Sequence, residues 1–172
     1  AFVERWDAAV NVMYAIKTNP TLAIRAVLSQ EGAGGDCFGL GELHATRVGG
    51  TDLSRVVMNG SNKSRAEIAE AVRLGITINI DGADEIAIAQ DAARAAGTTA
   101  RVALRLKLMP AGLDAFSATF FKTKDAIREA VRRSKWGYTP DAAVALLRKI
   151  ATQPDLRFVG YSCHVGRFAA DP

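Results

Sequence analysis

Apolar runs and helix-spaced stretches alternate along this chain, with a repeat of about twenty to twenty-five residues. Val12-Met13-Tyr14-Ala15-Ile16 is an apolar run ending abruptly in Lys17, and a helical pattern follows over about 21–30 with Leu22, Ile24, Ala26, Val27 and Leu28. Gly32 to Gly35 break that pattern before a short strand, Asp36-Cys37-Phe38. A second helix follows Gly39-Leu40-Gly41 and ends at Gly49-Gly50. Arg55-Val56-Val57-Met58-Asn59 reads as a third strand, Ile76 to Ile80 as a fourth, Val102 to Leu106 as a fifth and Phe158 to Cys163 as a sixth. Strands alternating with helices predict a parallel sheet.

The turn chemistry agrees with these boundaries. Ser64-Arg65-Ala66-Glu67 is a capping box at the head of the third helix, and Gly75 can close it. Asp81 is expected to cap the helix that runs to Ala96. Thr139-Pro140-Asp141 supplies a cap, a first-position proline and an acid in the first turn. Asn19-Pro20 predicts the same arrangement after the first strand, with Asn19 as cap and Pro20 as the first helical residue. Six βα units in a row, and no Gly-x-Gly-x-x-Gly after the first strand, favour an α/β fold of the βα (TIM-type) barrel over a doubly wound dinucleotide-binding sheet. A complete barrel has eight units and about 250 residues, so the barrel is expected to be incomplete, at about six of eight.

In such a barrel the carboxyl ends of the strands converge on one mouth. The polar residues at those ends are Lys17, Asp36, Asn59, Asp81, Arg105, Lys107 and His164. Lys17 can be read as a snorkelling surface lysine, or as an amine desolvated enough to form a Schiff base. Asp36 can serve turn amides after Gly34-Gly35, and Arg105 can be an interior arginine paired with a carboxylate. His164, before Val165-Gly166, is expected to face the same mouth.

Composition changes this picture little. The 172 residues suffice for one domain with a real core, and a hydrophobic share of 49% with 23% charged residues is ordinary for a globular protein. Nine Lys/Arg against three acids in residues 101–135 concentrate the positive charge, but most of them read as a solvated helix face on which Glu129 and Arg133 can pair, so no nucleic-acid partner is expected. No apolar run approaches the ~20 residues that span a bilayer, and no signal-peptide pattern opens the chain; no membrane partner is expected. Cys37 and Cys163 form neither a disulfide framework nor a metal-ligand spacing, which predicts no metal and fits a cytoplasmic setting. The chain begins at Ala1 rather than Met and is expected to be partial.

Six segments together resemble one family. Tyr14-Ala15-Ile16-Lys17-Thr18-Asn19-Pro20 resembles the lysine motif of the fold-type III pyridoxal-phosphate decarboxylases, which act on diaminopimelate, ornithine, arginine or carboxynorspermidine. Gly35 to Leu43 is similar to that family's glycine-aspartate strand and Gly-Glu-Leu helix start, and Asn59 to Ser64 to its Gly-Asn-x-Lys-Ser turn. Leu104-Arg105-Leu106, Ser134-Lys135-Trp136-Gly137 and Gly160 to Gly166 resemble its Leu-Arg-Val, Ser-Lys-Phe-Gly and Cys-His-Ile-Gly segments, all in the family's order.

The resemblance implies decarboxylation of a basic or dibasic amino acid, diaminopimelate-like, with pyridoxal 5'-phosphate as cofactor on a Schiff base at Lys17. It implies His164 against a face of the pyridine ring, with Asp36 and Arg105 positioning it and the cofactor. Lys135 is assigned a role in supporting the barrel. Gly166 and Arg167 fall where the family binds phosphate, Arg167 replacing its usual serine; an arginine can hold phosphate bidentately. It further implies a homodimeric intact protein, a C-terminal β-domain outside residues 1–172, and a fragment inactive by itself. Two other readings stay open: a non-catalytic relative that binds the cofactor or a partner, and an amino-acid racemase on the same barrel.

Overall fold

The structure is a computed structural model that describes residues 9–108 and 123–164. Strands β1 (Met13–Ala15), β2 (Gly34–Cys37), β3 (Val56–Met58), β4 (Thr77–Ile80), β5 (Ala100–Leu106) and β6 (Leu156–Cys163) lie in one sheet in chain order. Every neighbouring pair is parallel. Helices α1 (Leu22–Gln30), α2 (Leu40–Val48), α3 (Arg65–Arg73) and α4 (Asp84–Ala95) each follow one strand, and α5 (Lys124–Arg133) and α6 (Pro140–Ala151) both lie between β5 and β6. This is the six-unit parallel α/β architecture that the pattern predicts. Among the described residues β1 pairs only with β2 and β6 only with β5, so the barrel is not closed.

The two faces of the sheet differ, and alternation along each strand is the cause. Ile78 and Ile80 of β4, Val102 and Leu104 of β5, and Val56 and Met58 of β3 are buried with Leu43, Ile68, Val72, Ala89 and Ile150 of the helices in one apolar cluster. The residues between them, Asp36, Asn79 and Arg105 among them, point to the other face. That inner face is concave. In a flat sheet β2 and β6 would stand four strand spacings apart, about 19 Å. Yet the His164 imidazole beyond β6 bears electrostatically on the Asp36 carboxyl of β2.

Three local expectations need correction. Lys17 does not end a buried strand: β1 stops at Ala15, and Lys17 sits exposed in a 3₁₀ turn, Ile16–Thr18. With β2 as its one neighbour, β1 is an edge, and Val12 and Met13 are partly open. Asn19 accepts the Thr21 N–H at 3.0 Å, but α1 starts at Leu22, which leaves Pro20 outside the helix. Asp81 does not cap α4, which starts at Asp84 behind Ala83; its carboxylate turns instead to Arg105. The capping box at Ser64 and Glu67 and the Thr139 cap with its following proline form as the sequence predicts.

Candidate active site

The mouth is assembled by loops whose turns are built into the sequence. After β3, Gly60 (φ 103°) and Asn62 (φ 63°) take left-handed backbone, which glycine and asparagine tolerate. Lys63 Nζ closes that turn on the Gly60 carbonyl at 2.6 Å. A side chain at Gly60 would press on the Phe38 ring at 3.3 Å. The same ring carries Lys17, whose Nζ lies 4.8 Å from its centroid. Phe38 is fixed in turn by its N–H, which donates to Glu42 Oε2 at 2.8 Å. Lys17 therefore rests, exposed, on an aromatic plate, and among the described residues it makes no ion pair.

Asp36 stands half-buried on the inner face of β2. Burial pushes its carboxyl above the usual range; the Asn59 hydrogen bond opposes this, as do the charges of Lys17, Arg105 and His164 in that order. The Asn59 amide donates to Asp36 Oδ1, and Asn79 Nδ2 donates to Asn59 Oδ1 at 2.5 Å. Neighbouring Cys37 faces the helices, bonded to Thr46 Oγ1, and burial pushes its thiol up to about 11. It is a core residue.

On the other side Arg105 Nη1 donates to Asp81 Oδ2 at 3.1 Å. The Asp81 N–H donates to Glu85 Oε2 at 2.9 Å, and Glu85 is paired with Lys63 at 2.9 and 3.1 Å with both side chains almost fully buried. Arg105 is thus the last member of a charged chain that reaches back to the turn beneath Phe38. Its backbone is held by Tyr138, the residue that follows the Ser134-Lys135-Trp136-Gly137 segment. The Tyr138 N–H donates to the Arg105 carbonyl and the Lys107 N–H to the Tyr138 carbonyl, both at 2.8 Å. Lys107 itself turns away from the mouth; its Nζ caps α5 through the carbonyls of Arg132 and Ser134.

His164 reaches the inner face because β6 contains a bulge. Val102 pairs with Phe158 but Ala103 with Gly160, so Val159 is an extra residue, and Gly160 takes φ 148°. Beyond the bulge Ser162 stands opposite Arg105, which puts His164, two residues on, on the Arg105 side. Without the bulge Cys163 would occupy that side. Gly166 and Arg167 lie outside the described residues.

Sequence reasoning missed Phe38 as a plate, Asn79 and Glu85 as partners, and the bulge. Gly160 inside an otherwise strand-like run is the signal for the last of these. Glu85 and Asn79 gave no signal, because an acid early in a helix and an asparagine in a strand are ordinary until their neighbours are known.

Four βα units thus bring one amine, one carboxylate, one guanidinium and one imidazole to the same end of the sheet. The chain belongs to the family of pyridoxal-dependent decarboxylases, by their pyridoxal binding domain, whose model matches residues 2–172. It is 32% identical over 161 residues to diaminopimelate decarboxylase of Neisseria meningitidis, covering 93% of this chain and 37% of that protein. Its fold matches that of diaminopimelate decarboxylase from M. jannaschii in complex with L-lysine, with a TM-score of 0.78, 27% identity, and coverage of 96% of this chain and 37% of the other. It also matches the fold of lysine/ornithine decarboxylase from Vibrio vulnificus with putrescine, TM-score 0.67 at 20% identity, covering 91% and 36%. The chain spans under two-fifths of the length of the relatives it matches.

Proposed function

We propose that the full-length protein carrying this chain is a pyridoxal-phosphate-dependent carboxy-lyase acting on a basic or dibasic amino acid, diaminopimelate-like. The observation that supports this most is Lys17: an accessible amine that shares its rim with the very side chains whose charges act on Asp36. The donor set fits the cofactor, offering an amine for its aldehyde and cationic Arg105 beside an anionic molecule. Bound there, pyridoxal phosphate supplies the ring that accepts the electron pair released when the Cα–carboxylate bond breaks.

The chain's own residues bind and orient. Lys17 would hold the cofactor through its amine, which the substrate amine would displace. Phe38 fixes where the Lys17 amine starts. Asp36 and Arg105 position the cofactor and His164, while Gly166 and Arg167 serve its phosphate, the latter through a charge-assisted pair. In this reading residues 1–172 are a partial pyridoxal-phosphate-binding barrel domain, inactive alone. The remaining units and a β-domain come from the rest of a homodimeric cytoplasmic enzyme, without nucleic-acid or membrane partners. Among the described residues no helix is long and apolar enough to cross a membrane.

Borohydride reduction of the cofactor-loaded full-length protein is expected to fix the cofactor on Lys17, read by peptide mapping. Carbon dioxide release from diaminopimelate, lysine, ornithine and arginine is expected for at least one of them, and Lys17→Ala should lower it by at least about a thousandfold. Cofactor on another lysine would overturn the assignment. Inversion of a substrate without carbon dioxide release would point to a racemase, and cofactor binding without turnover to a non-catalytic relative.

A further inference from the structure

The Asp36 carboxylate is the end of a row of side chains, not an isolated acid. Asn79 of β4 is almost fully buried, and its amide donates to Asn59, whose amide donates to Asp36. The order of donors in this row is dictated by its end. A carboxylate only accepts, so Asn59 must turn its NH₂ toward Asp36 and its oxygen toward β4. That oxygen then needs a donor, which the Asn79 NH₂ supplies. Had Asn79 been apolar, the Asn59 oxygen would be left without a partner and nothing would hold its NH₂ toward Asp36.

We propose that Asn79 is a positioning residue for Asp36, acting through the Asn59 amide to fix the carboxylate toward the Lys17 rim. Asn79 touches neither Lys17 nor Asp36 by any hydrogen bond, so its influence travels through one intermediate group. The other groups that face Asp36 are Lys17 after β1, Arg105 on β5 and His164 after β6, while on the opposite face of its own strand Cys37 is a neutral thiol that the Asp36 charge itself helps to raise. Arg105 is already engaged by Asp81. The amide row is the only hydrogen-bonded support that Asp36 has among the described residues. Its bearing on turnover rests on the proposed decarboxylase reading; its effect on Asp36 does not.

The test follows the Asp36 carboxyl carbon by ¹³C NMR in cofactor-free full-length protein, the signal being assigned by its loss in Asp36→Asn. Asn79→Leu, close in size and without a donor, is expected to raise the titration midpoint of that carboxyl by about one pH unit. Asn59→Ala should raise it as much, and Asn59→Ala with Asn79→Leu no further, because the messenger is then already gone. An unmoved midpoint in Asn79→Leu, or a shift that persists undiminished in the Asn59→Ala background, would sink the proposal. Should Asn79→Leu fail to fold, Asn79→Ser takes its place in the same cycle with a smaller expected shift. In the loaded enzyme the acid limb of kcat/KM is expected to move with the midpoint. If no amino acid is decarboxylated while the NMR cycle holds, the functional reading falls and the relay stands.

Discussion

The two halves of the rim solve the same problem with opposite means. Asp36, on the β2–β4 side, is a half-buried charge held by neutral amides. Arg105, on the β4–β5 side, is held by Asp81, whose backbone N–H binds Glu85, itself paired with Lys63, and all three of those side chains are nearly sealed from solvent. A hydrogen bond from a neutral amide contributes about 0.5–1.5 kcal/mol to a neutral acceptor and about 1.5–3 to a carboxylate, and losing one strands no counter-charge. A buried ion pair adds little net stability, yet removing one partner strands the other charge. The difference separates tuning from scaffolding. The amide side can change the behaviour of Asp36 at small cost to the fold, whereas the charged side is part of how the β3 and β4 loops fold at all.

Breaking each side tests that contrast. Lys63→Met is expected to destabilise the full-length protein by about 3–5 kcal/mol, because Glu85 remains buried with its charge uncompensated. Asn59→Ala is expected to cost less, about 1.5–3 kcal/mol, because Asp36 is only half-buried and water can replace the lost amide. Denaturant unfolding of the two variants reads both, and equal losses would erase the distinction. Lys63→Met should also loosen the Gly60 turn, since Nζ no longer meets the Gly60 carbonyl, and with it the Phe38 plate under Lys17.

The charged side has a second support, in the backbone. Gly137 takes φ 72°, and a Cβ there would stand 2.6 Å from the Arg105 carbonyl oxygen. Gly137→Ala is therefore expected to cost about 1–3 kcal/mol from the backbone conformation and the forced approach together. It should also disturb the exchange of hydrogen bonds between Tyr138 and the residues around Arg105. Amide hydrogen exchange at Tyr138 and Lys107 is expected to quicken in that variant while Asn59 is unaffected. Faster exchange at both places would mean the two sides are one cooperative unit.

What the sequence disclosed and what it hid divide along physical lines. Periodic apolar runs, the Ser64 capping box and the Thr139-Pro140 start are local signals, and the six units follow from them. The strand-end positions of Asp36, Arg105 and His164 follow from the same pattern. The partners were hidden because they are tertiary: Asp81 reads as a helix cap until Arg105, 24 residues away, claims it. Which of its two readings Lys17 takes was hidden because an apolar run looks alike in a central strand and an edge strand; only the number of neighbours tells them apart, and among the described residues β1 has one. The bulge was hidden for a related reason, since one inserted residue changes parity without changing composition, and parity decides whether Cys163 or His164 faces inward.

The smallest expected effect separates the two sides by pH. Burial raises the Asp36 carboxyl above its unfolded value, and the opposing Asn59 bond and neighbouring charges do not cancel it. Folding therefore favours the protonated form, and the folded state binds more protons than the unfolded one across the interval between the two values. In that interval stability falls as pH rises, and above the folded value the cost of burying the charge is fully present. Asp36→Asn removes this titration while keeping an acceptor for the Asn59 amide. Its melting temperature relative to the unsubstituted protein is expected to climb as pH is raised from about 4 to 7, and to level off once Asp36 is fully ionised. A gap that stays flat with pH would mean the amides and the cations around Asp36 already hold it as well as Lys63 and Glu85 hold one another.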